Sequence, residues 1–167
     1  MKGKFNEGLA AVSYESPLGA LLIMADDKAV RGIKFPGDKY PAGNDDAEIL
    51  RLCIKELDEW FGGTRKDFTV PFDPGGTEFM QKVWRNVCSI PYGQTRTYGE
   101  IARKLGDIKL SRAVGLANGN NPIPIIIPCH RVVGQDGNLT GYGGGLWRKE
   151  WLLHHEARFS GKMELFH

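Results

Sequence analysis

Thr97-Tyr98-Gly99-Glu100-Ile101-Ala102-Arg103-Lys104-Leu105-Gly106-Asp107-Ile108-Lys109-Leu110-Ser111-Arg112-Ala113-Val114-Gly115-Leu116-Ala117-Asn118 is the stretch on which the fold turns. Thr97 and Glu100 have the spacing of a capping box, in which hydroxyl and carboxylate each satisfy a backbone N–H at a helix start. The box opens a helix through Ile101, Ala102 and Leu105, and Gly106-Asp107-Ile108 breaks it. Leu110 to Asn118 then makes a second helix, stopped at Asn118-Gly119. Two short helices joined by such a turn have helix-turn-helix spacing, a pairing that many proteins without a nucleic-acid partner also use. Ala113, Gly115 and Ala117 make the second helix slim, so that it approaches another surface closely.

Upstream, Phe79, Val83 and Val87 recur every four residues with Met80 and Trp84 beside them, predicting a helix that Ile90-Pro91 stops. Cys88 at its end reads as structural. The first third reads differently: Leu9–Tyr14, Ala20–Ala25 and Ala29–Phe35 are short apolar runs separated by Ser16-Pro17-Leu18-Gly19 and Asp26-Asp27-Lys28. That punctuation predicts an antiparallel meander. Over residues 45–61 the period becomes helical, with Leu50, Cys53, Ile54, Leu57, Trp60 and Phe61 on one face, so Cys53 reads as a small buried hydrophobe. Gly62-Gly63 ends that helix, Phe68-Thr69-Val70 reads as one more strand, and Pro71 to Gly76 is the credible boundary. The expected fold is therefore α+β. Residues 1–76 would form a small N-terminal antiparallel sheet plus helix of ribonuclease H-like outline, acting as support. Residues 77–167 would form a mostly helical domain containing the helix-turn-helix.

Composition bounds what this chain does. Its 167 residues bury enough surface to need no disulfide or metal for stability. The 41% hydrophobic and 25% charged content is that of an ordinary globular protein. Met1–Glu7 has basic residues without the apolar run of a signal peptide. The longest apolar stretch, Ile123 to Pro128, is too short and too proline-broken to span a membrane. A cytoplasmic protein is expected, nuclear in a eukaryote. Three widely spaced cysteines without a C-x-x-C argue against a zinc site, and so against a zinc-dependent base deaminase. Charge is uneven: residues 1–76 hold 10 Lys and Arg against 13 Asp and Glu, whereas residues 77–167 hold 12 against 7. A basic second half suits a phosphate-binding surface, though by itself it is also what a solvated face looks like.

The chemistry concentrates in residues 122–133, Pro-Ile-Pro-Ile-Ile-Ile-Pro-Cys-His-Arg-Val-Val. The β-branched run predicts a buried strand that delivers Cys129 at its end. Pro128 suits the first position of a helical turn, which would place the thiol near backbone N–H groups that favour a thiolate. His130 and Arg131 add a proton acceptor and a fixed positive charge. On residue type and spacing alone, Cys129 is equally well a core cysteine beside a surface His-Arg pair. Neighbouring side chains diverge, so His130 reaches the thiol through a bridging water and needs an orienting partner. Glu156, four residues after Leu152 and three after Leu153 in a predicted helix 146–157, is the best candidate, since a carboxylate near an apolar face is costly unless paired. Pairing with Arg158, or exposure at the helix end, is the alternative.

Taken together, these residues resemble one family. Tyr92-Gly93-Gln94-Thr95, Thr97-Tyr98, Arg112-Ala113-Val114-Gly115, Asn121-Pro122, Pro128-Cys129-His130-Arg131, Tyr142-Gly143-Gly144-Gly145 and Lys149-Glu150-Trp151-Leu152-Leu153 followed by Glu156 closely resemble the methylated-DNA–protein-cysteine methyltransferases, the O6-alkylguanine-DNA alkyltransferases. The resemblance spans about residues 77–158, with order and gaps kept. The N-terminal third is similar only in its outline of three strands and a helix.

The resemblance implies direct-reversal DNA repair: an alkyl group passes irreversibly from O6 of guanine, with O4 of thymine also open, to Cys129, once per molecule. It implies the His130–water–Glu156 relay as activator of the thiol. It implies Asn121 as the hinge between the DNA-binding helices and the cysteine segment, and Tyr98 and Arg112 as the residues that extrude the lesion. Ala113 and Gly115 would lie in the minor groove of double-stranded DNA. Pro124, Arg131, Val132, Tyr142 and Gly143 would complete the substrate- and DNA-binding set, Tyr142 and Gly143 in the loop that closes the pocket. No cofactor and no metal is implied. The protein would act as a monomer, with cooperative assembly on DNA left open.

Gly143 stands where some relatives have Ser, and Asn118 where others have a larger apolar residue. The zinc-binding Cys/His set of certain relatives is missing. Alkyltransferase-like proteins, which recognise the lesion without removing it, typically lack the acceptor cysteine that is present here. A helix-turn-helix regulator would need more base-reading side chains than Arg112 and Asn118 supply. A thiol hydrolase would need a better-placed dyad and an oxyanion hole.

Overall fold

The computed structural model describes residues 8–36 and 45–161, so the Met1–Glu7 segment lies outside the described residues. The chain divides into two compact units, Met1–Gly75 and Gly76–His167.

In the first unit, strands β1 (Ala10–Ser16), β2 (Gly19–Ala25) and β3 (Val30–Lys34) form an antiparallel sheet in sequence order. The β1–β2 register runs from Ala10 opposite Ala25 to Ser16 opposite Gly19. This tight turn needs Gly19 at φ +104°, and Ser16 Oγ fixes it by accepting from Leu18 N and donating to Gly19 O. Helix α1 (Glu48–Phe61) packs on the sheet through Leu50, Cys53, Leu57 and Trp60, all buried, as their spacing predicts. Ile54 and Phe61 stay half-buried at the margin of that face. Tyr14 donates from its hydroxyl to Asp58 Oδ1 at 2.6 Å, tying β1 to α1.

One expectation fails here. Phe68–Val70 is not a strand. The backbone N–H groups of Thr69 and Val70 donate at 2.8 and 2.9 Å to Oε1 of Glu56, a buried carboxylate of α1. Thr69 Oγ1 donates to the other oxygen, and Arg65 lies 3.4 Å from it. A side chain therefore takes the donors that a ladder would have used. The chain reaches the sheet only afterwards, where Val30 bridges Phe72 in parallel fashion.

The second unit is mostly helical. Helix α2 (Glu78–Cys88), capped by Thr77, buries Val83, Trp84 and Val87 and leaves Cys88 exposed at its end. Gly76, at φ +82°, lies where a Cβ would meet the Trp84 ring at 2.8 Å. Trp84 Nε1 in turn donates to Ala117 O at 2.9 Å, anchoring α2 to α4 (Ser111–Gly119). Between them the capping box of Thr97 and Glu100 forms as read, opening α3 (Tyr98–Lys104), and a 3₁₀ turn (Ile108–Leu110) leads into α4. A two-residue strand β4 (Arg96–Thr97) pairs in parallel with β5 (Val132–Val133), which draws the start of α3 towards the segment that follows Cys129. Helix α5 (Leu146–Ser160) closes the unit. The fold is thus a three-stranded antiparallel sheet with a helix, followed by a mostly helical part.

Burial raises the pKa of Glu56, but the bonds from Thr69 and Val70 and the charge of Arg65 outweigh it and hold the carboxyl below its usual value. A carboxyl lowered in the folded state stabilises above its unfolded pKa of about 4.3, and this is lost as pH falls through the folded value. Glu56→Ala is expected to lower unfolding stability at pH 7 by about 3 kcal/mol. In urea titrations the gap between variant and parent should narrow below pH 4; a gap independent of pH would contradict this role.

Candidate functional site

The segment before Cys129 is not a strand either. Residues 122–128 form a compact loop in which Ile127 N donates to Ile123 O at 3.0 Å and Pro124 bridges Ile127. Prolines 122, 124 and 128 have no N–H to give a ladder, which explains why a β-branched run coils here. Ile125 sits at φ +75°, a conformation uncommon for a β-branched residue. Asn121 clamps the loop: Nδ2 donates to Ile127 O at 2.8 Å and Oδ1 accepts from Ile123 N at 2.9 Å. Cys129 then starts a 3₁₀ turn, Cys129–Arg131, as the proline before it predicts.

All three residues of that turn are buried. His130 and Arg131 converge on Glu156 of α5. His130 Nε2 lies 2.6 Å from Glu156 Oε2, and Arg131 grips both carboxylate oxygens through Nε at 2.9 and 3.1 Å and Nη2 at 2.9 Å. Gly93 N donates to Oε1 at 3.0 Å. The expected His130–Glu156 partnership is therefore present, and Arg158, the alternative partner, lies over the Phe159 ring instead. Arg131 corrects the sequence reading. The resemblance put it in the substrate- and DNA-binding set, but it is turned inward, with Nη1 donating to Ile90 O at 2.7 Å and its guanidinium 5.6 Å from the Tyr92 ring centre.

Burial raises the pKa of Glu156, yet His130 and Arg131 more than reverse this and hold it at about 2. Burial dominates at His130 and lowers its pKa despite Glu156, so the imidazole favours its neutral, proton-accepting form. Burial also pushes the Cys129 thiol up. Opposing it are the Asn121 amide, the charge of Lys149, a backbone N–H and the Tyr142 hydroxyl. The Tyr142 hydroxyl is raised well above its usual value, by burial first and then by the neighbouring thiol.

Lys149 is the residue that sequence reasoning missed. It is completely buried on α5, Nζ donates to Thr140 O at 2.8 Å, and burial lowers its pKa to about 8 although Cys129 opposes this. A signal was there to read: Lys149, Leu152, Leu153 and Glu156 fall at i, i+3, i+4 and i+7, one helical face. Thr140 O also accepts from the Tyr98 hydroxyl at 3.2 Å.

The structure thus gathers Asn121, His130, Tyr142, Lys149 and Glu156 around or behind Cys129. Val132 is buried in β5, next in the chain after the turn, and Pro124 is buried in the preceding loop. Gly143 is exposed beside Tyr142. Arg112, Ala113 and Gly115 stand apart on α4, and Arg112 is exposed and forms no ion pair with the described residues. A Cβ on Gly115 would lie 3.8 Å from the Tyr98 ring, an ordinary contact. Among the described residues no cluster of His, Cys, Asp and Glu could hold a metal ion, and no helix is long and apolar enough to cross a membrane.

Comparisons with known proteins bear on both units. Residues 78–158 match the family model described as the 6-O-methylguanine DNA methyltransferase DNA binding domain. Residues 11–74 match its ribonuclease-like domain. The methylated-DNA–protein-cysteine methyltransferase of Methanosarcina acetivorans is 47% identical, over 86% of this chain and 96% of its own. The crystal structure of Mycobacterium tuberculosis O6-methylguanine methyltransferase superposes with a TM-score of 0.83 at 38% identity, covering 95% and 99% of the two chains. That of M. tuberculosis OGT in complex with DNA gives 0.82 at 40% identity, covering 90% and 94%.

Removing one partner of a buried ion pair strands the other. Glu156→Leu is expected to cost about 3–5 kcal/mol in urea unfolding, and the double variant Glu156→Leu/Arg131→Met to recover much of that. Additive losses in the double-variant cycle would mean that the two side chains do not share one charge pair.

Proposed function

The chain belongs to the 6-O-methylguanine DNA methyltransferase family, and from that premise we propose that it repairs DNA by moving an alkyl group from O6 of guanine to Sγ of its own Cys129. The observation that carries this reading is the surroundings of the thiol. Cys129 is buried, the Asn121 amide, the Lys149 charge and the Tyr142 hydroxyl act on its thiol against the rise that burial causes, and it is next in the chain to an imidazole held by a carboxylate. An ordinary cysteine is a few per cent thiolate at neutral pH, and each of these groups favours the anion over the thiol.

The chemistry then balances. The thiol proton leaves towards His130 through a bridging water, and Glu156 stabilises the imidazolium that forms. Arg131 keeps Glu156 ionised throughout. The Sγ lone pair attacks the alkyl carbon as its bond to O6 breaks, and the bonding pair stays on guanine, which regains a proton. Tyr98 is the candidate donor to the base. The product is a thioether that no group in the site cleaves, so each molecule reacts once. No cofactor takes part.

Inside a duplex the O6 substituent is stacked in the major groove, away from a buried thiol, so the nucleotide is extruded. Arg112, exposed on the first turn of α4 and without an ion pair among the described residues, fills the vacated stack. Ala113 and Gly115 let α4 lie close in the minor groove. Backbone groups of Cys129 and Val132 contact the guanine amine, Pro124 backs the pocket, and the N–H of Gly143 serves where a serine side chain would otherwise reach O6. Asn121 couples these helices to the acceptor. Residues 77–167 carry the DNA-binding and acceptor chemistry, and residues 1–76 support them. The protein acts in the cytoplasm as a monomer.

Cys129→Ser tests the assignment. With an O6-methylguanine duplex it should retain binding in a gel-shift titration and transfer no methyl group. A serine variant that still removes the lesion would place the acceptor elsewhere.

A further inference from the structure

Thr140 lies in the loop before α5, two residues ahead of Tyr142. Two of its oxygens meet the hydroxyl of Tyr98, the first residue of α3. Tyr98 donates to the Thr140 carbonyl at 3.2 Å, and Thr140 Oγ1 donates back to the same phenolic oxygen at 3.3 Å. Both bonds are longer than the ~2.7–2.8 Å usual between oxygens, so either is readily exchanged for a better partner. The carbonyl has a second donor, since Nζ of the buried Lys149 reaches it at 2.8 Å. A carbonyl oxygen has two lone pairs, so Tyr98 can turn its proton away and leave the Thr140 carbonyl satisfied by Lys149. Both side chains are set by their neighbours. The Tyr98 ring lies against Gly115 of α4, where an added Cβ would be 3.8 Å away, and the Thr140 methyl lies 3.8 Å from where a Cβ on Gly134 would stand. With the methyl on that side, the hydroxyl is left to face Tyr98.

The inference rests on the reading of Cys129 as alkyl acceptor and of Tyr98 as donor to the base. As the alkyl carbon leaves, the bonding pair stays on guanine, and a hydrogen-bond donor aimed at the base stabilises that charge. A tyrosine hydroxyl has one proton, and in the structure it is given to the Thr140 carbonyl. We propose that Thr140 is a positioning residue for this donor: its Oγ1 keeps hold of the Tyr98 oxygen while the Tyr98 proton turns from the Thr140 carbonyl to the extruded base. The bond from Oγ1 also polarises the Tyr98 hydroxyl in the direction the base needs, because hydrogen bonds in a chain strengthen one another. Thr140 makes and breaks no covalent bond and acts only through Tyr98. The pairing of β4 with β5 already brings the start of α3 to the segment that follows Cys129, and Thr140 ties the same tyrosine to the loop that carries Tyr142.

The test is single-turnover methyl transfer to Cys129 from an O6-methylguanine duplex, with the rate at saturating duplex and the duplex Kd measured separately. Thr140→Val keeps the shape of the side chain and the carbonyl that Lys149 uses. It should slow transfer by about three- to tenfold while Kd stays within about twofold. Thr140→Ser, which retains the hydroxyl, should recover most of that rate. In the Tyr98→Phe protein, itself slower, adding Thr140→Val should cost nothing more, because no phenolic oxygen is left to hold. A Thr140→Val protein as fast as the unaltered one would overturn the proposal. So would the same fractional loss with and without the Tyr98 hydroxyl, or a Thr140→Ser protein as slow as Thr140→Val. A Tyr98→Phe protein as fast as the unaltered one would instead overturn the donor reading beneath the proposal, and no transfer by the unaltered protein would overturn the acceptor reading.

Discussion

Glu156 is a carboxylate withdrawn from water, and three groups from two other parts of the chain turn towards it. The His130 imidazole and the Arg131 guanidinium come from the 3₁₀ turn, the Gly93 N–H from the loop after α2, and the carboxylate itself from α5. A buried carboxylate with fewer partners would take up a proton or destabilise the fold. Here Arg131 supplies a permanent positive charge and shares it between both oxygens, so the carboxylate stays ionised whether His130 is protonated or neutral. The same grip sets the direction of the 3₁₀ turn, and with it the position of Cys129 one residue earlier.

That arrangement separates two tasks that a single residue could not combine. Arg131 and Glu156 hold the frame, and His130, whose pKa burial lowers, remains available as a proton acceptor. On the other side of the thiol, Lys149 carries a buried ammonium that no described carboxylate pairs. An unpaired buried ammonium is unfavourable until an anion stands beside it, and a Cys129 thiolate is that anion. The cost of placing Lys149 there is thus offset in the state of the protein that reacts. Once the sulfur is alkylated, the anion is gone for good.

Much of this was legible before any coordinates. The meander of residues 10–34 was readable from its Gly, Pro and Asp punctuation, α1 from its apolar period, and α3 from the Thr97/Glu100 box, because each signal is local. Two expected strands were lost to interactions that local pattern does not encode. Thr69 and Val70 give their N–H groups to a glutamate thirteen and fourteen residues earlier, and the 122–128 loop folds on itself around prolines and Asn121. Arg131 was put in the substrate- and DNA-binding set by the resemblance; the position of Glu156 turns it inward. Glu156 itself was found because a carboxylate near an apolar helix face demands a partner. Lys149 obeys the same rule on the same face and could have been found by it. The residues of α4 were readable as a slim helix, but the bond from Asn118 Nδ2 to the Cys129 carbonyl depends on the approach of a residue eleven positions away.

The central claim is that one thiol takes one alkyl group and keeps it. Intact-protein and peptide mass spectrometry after incubation with excess O6-methylguanine duplex tests it most directly. The account predicts a single added methyl on the peptide containing Cys129, saturating at one per protein molecule while an equal amount of guanine is restored. Tight binding of the duplex without any change in mass, or a methyl group on Cys53 or Cys88 instead, would contradict it.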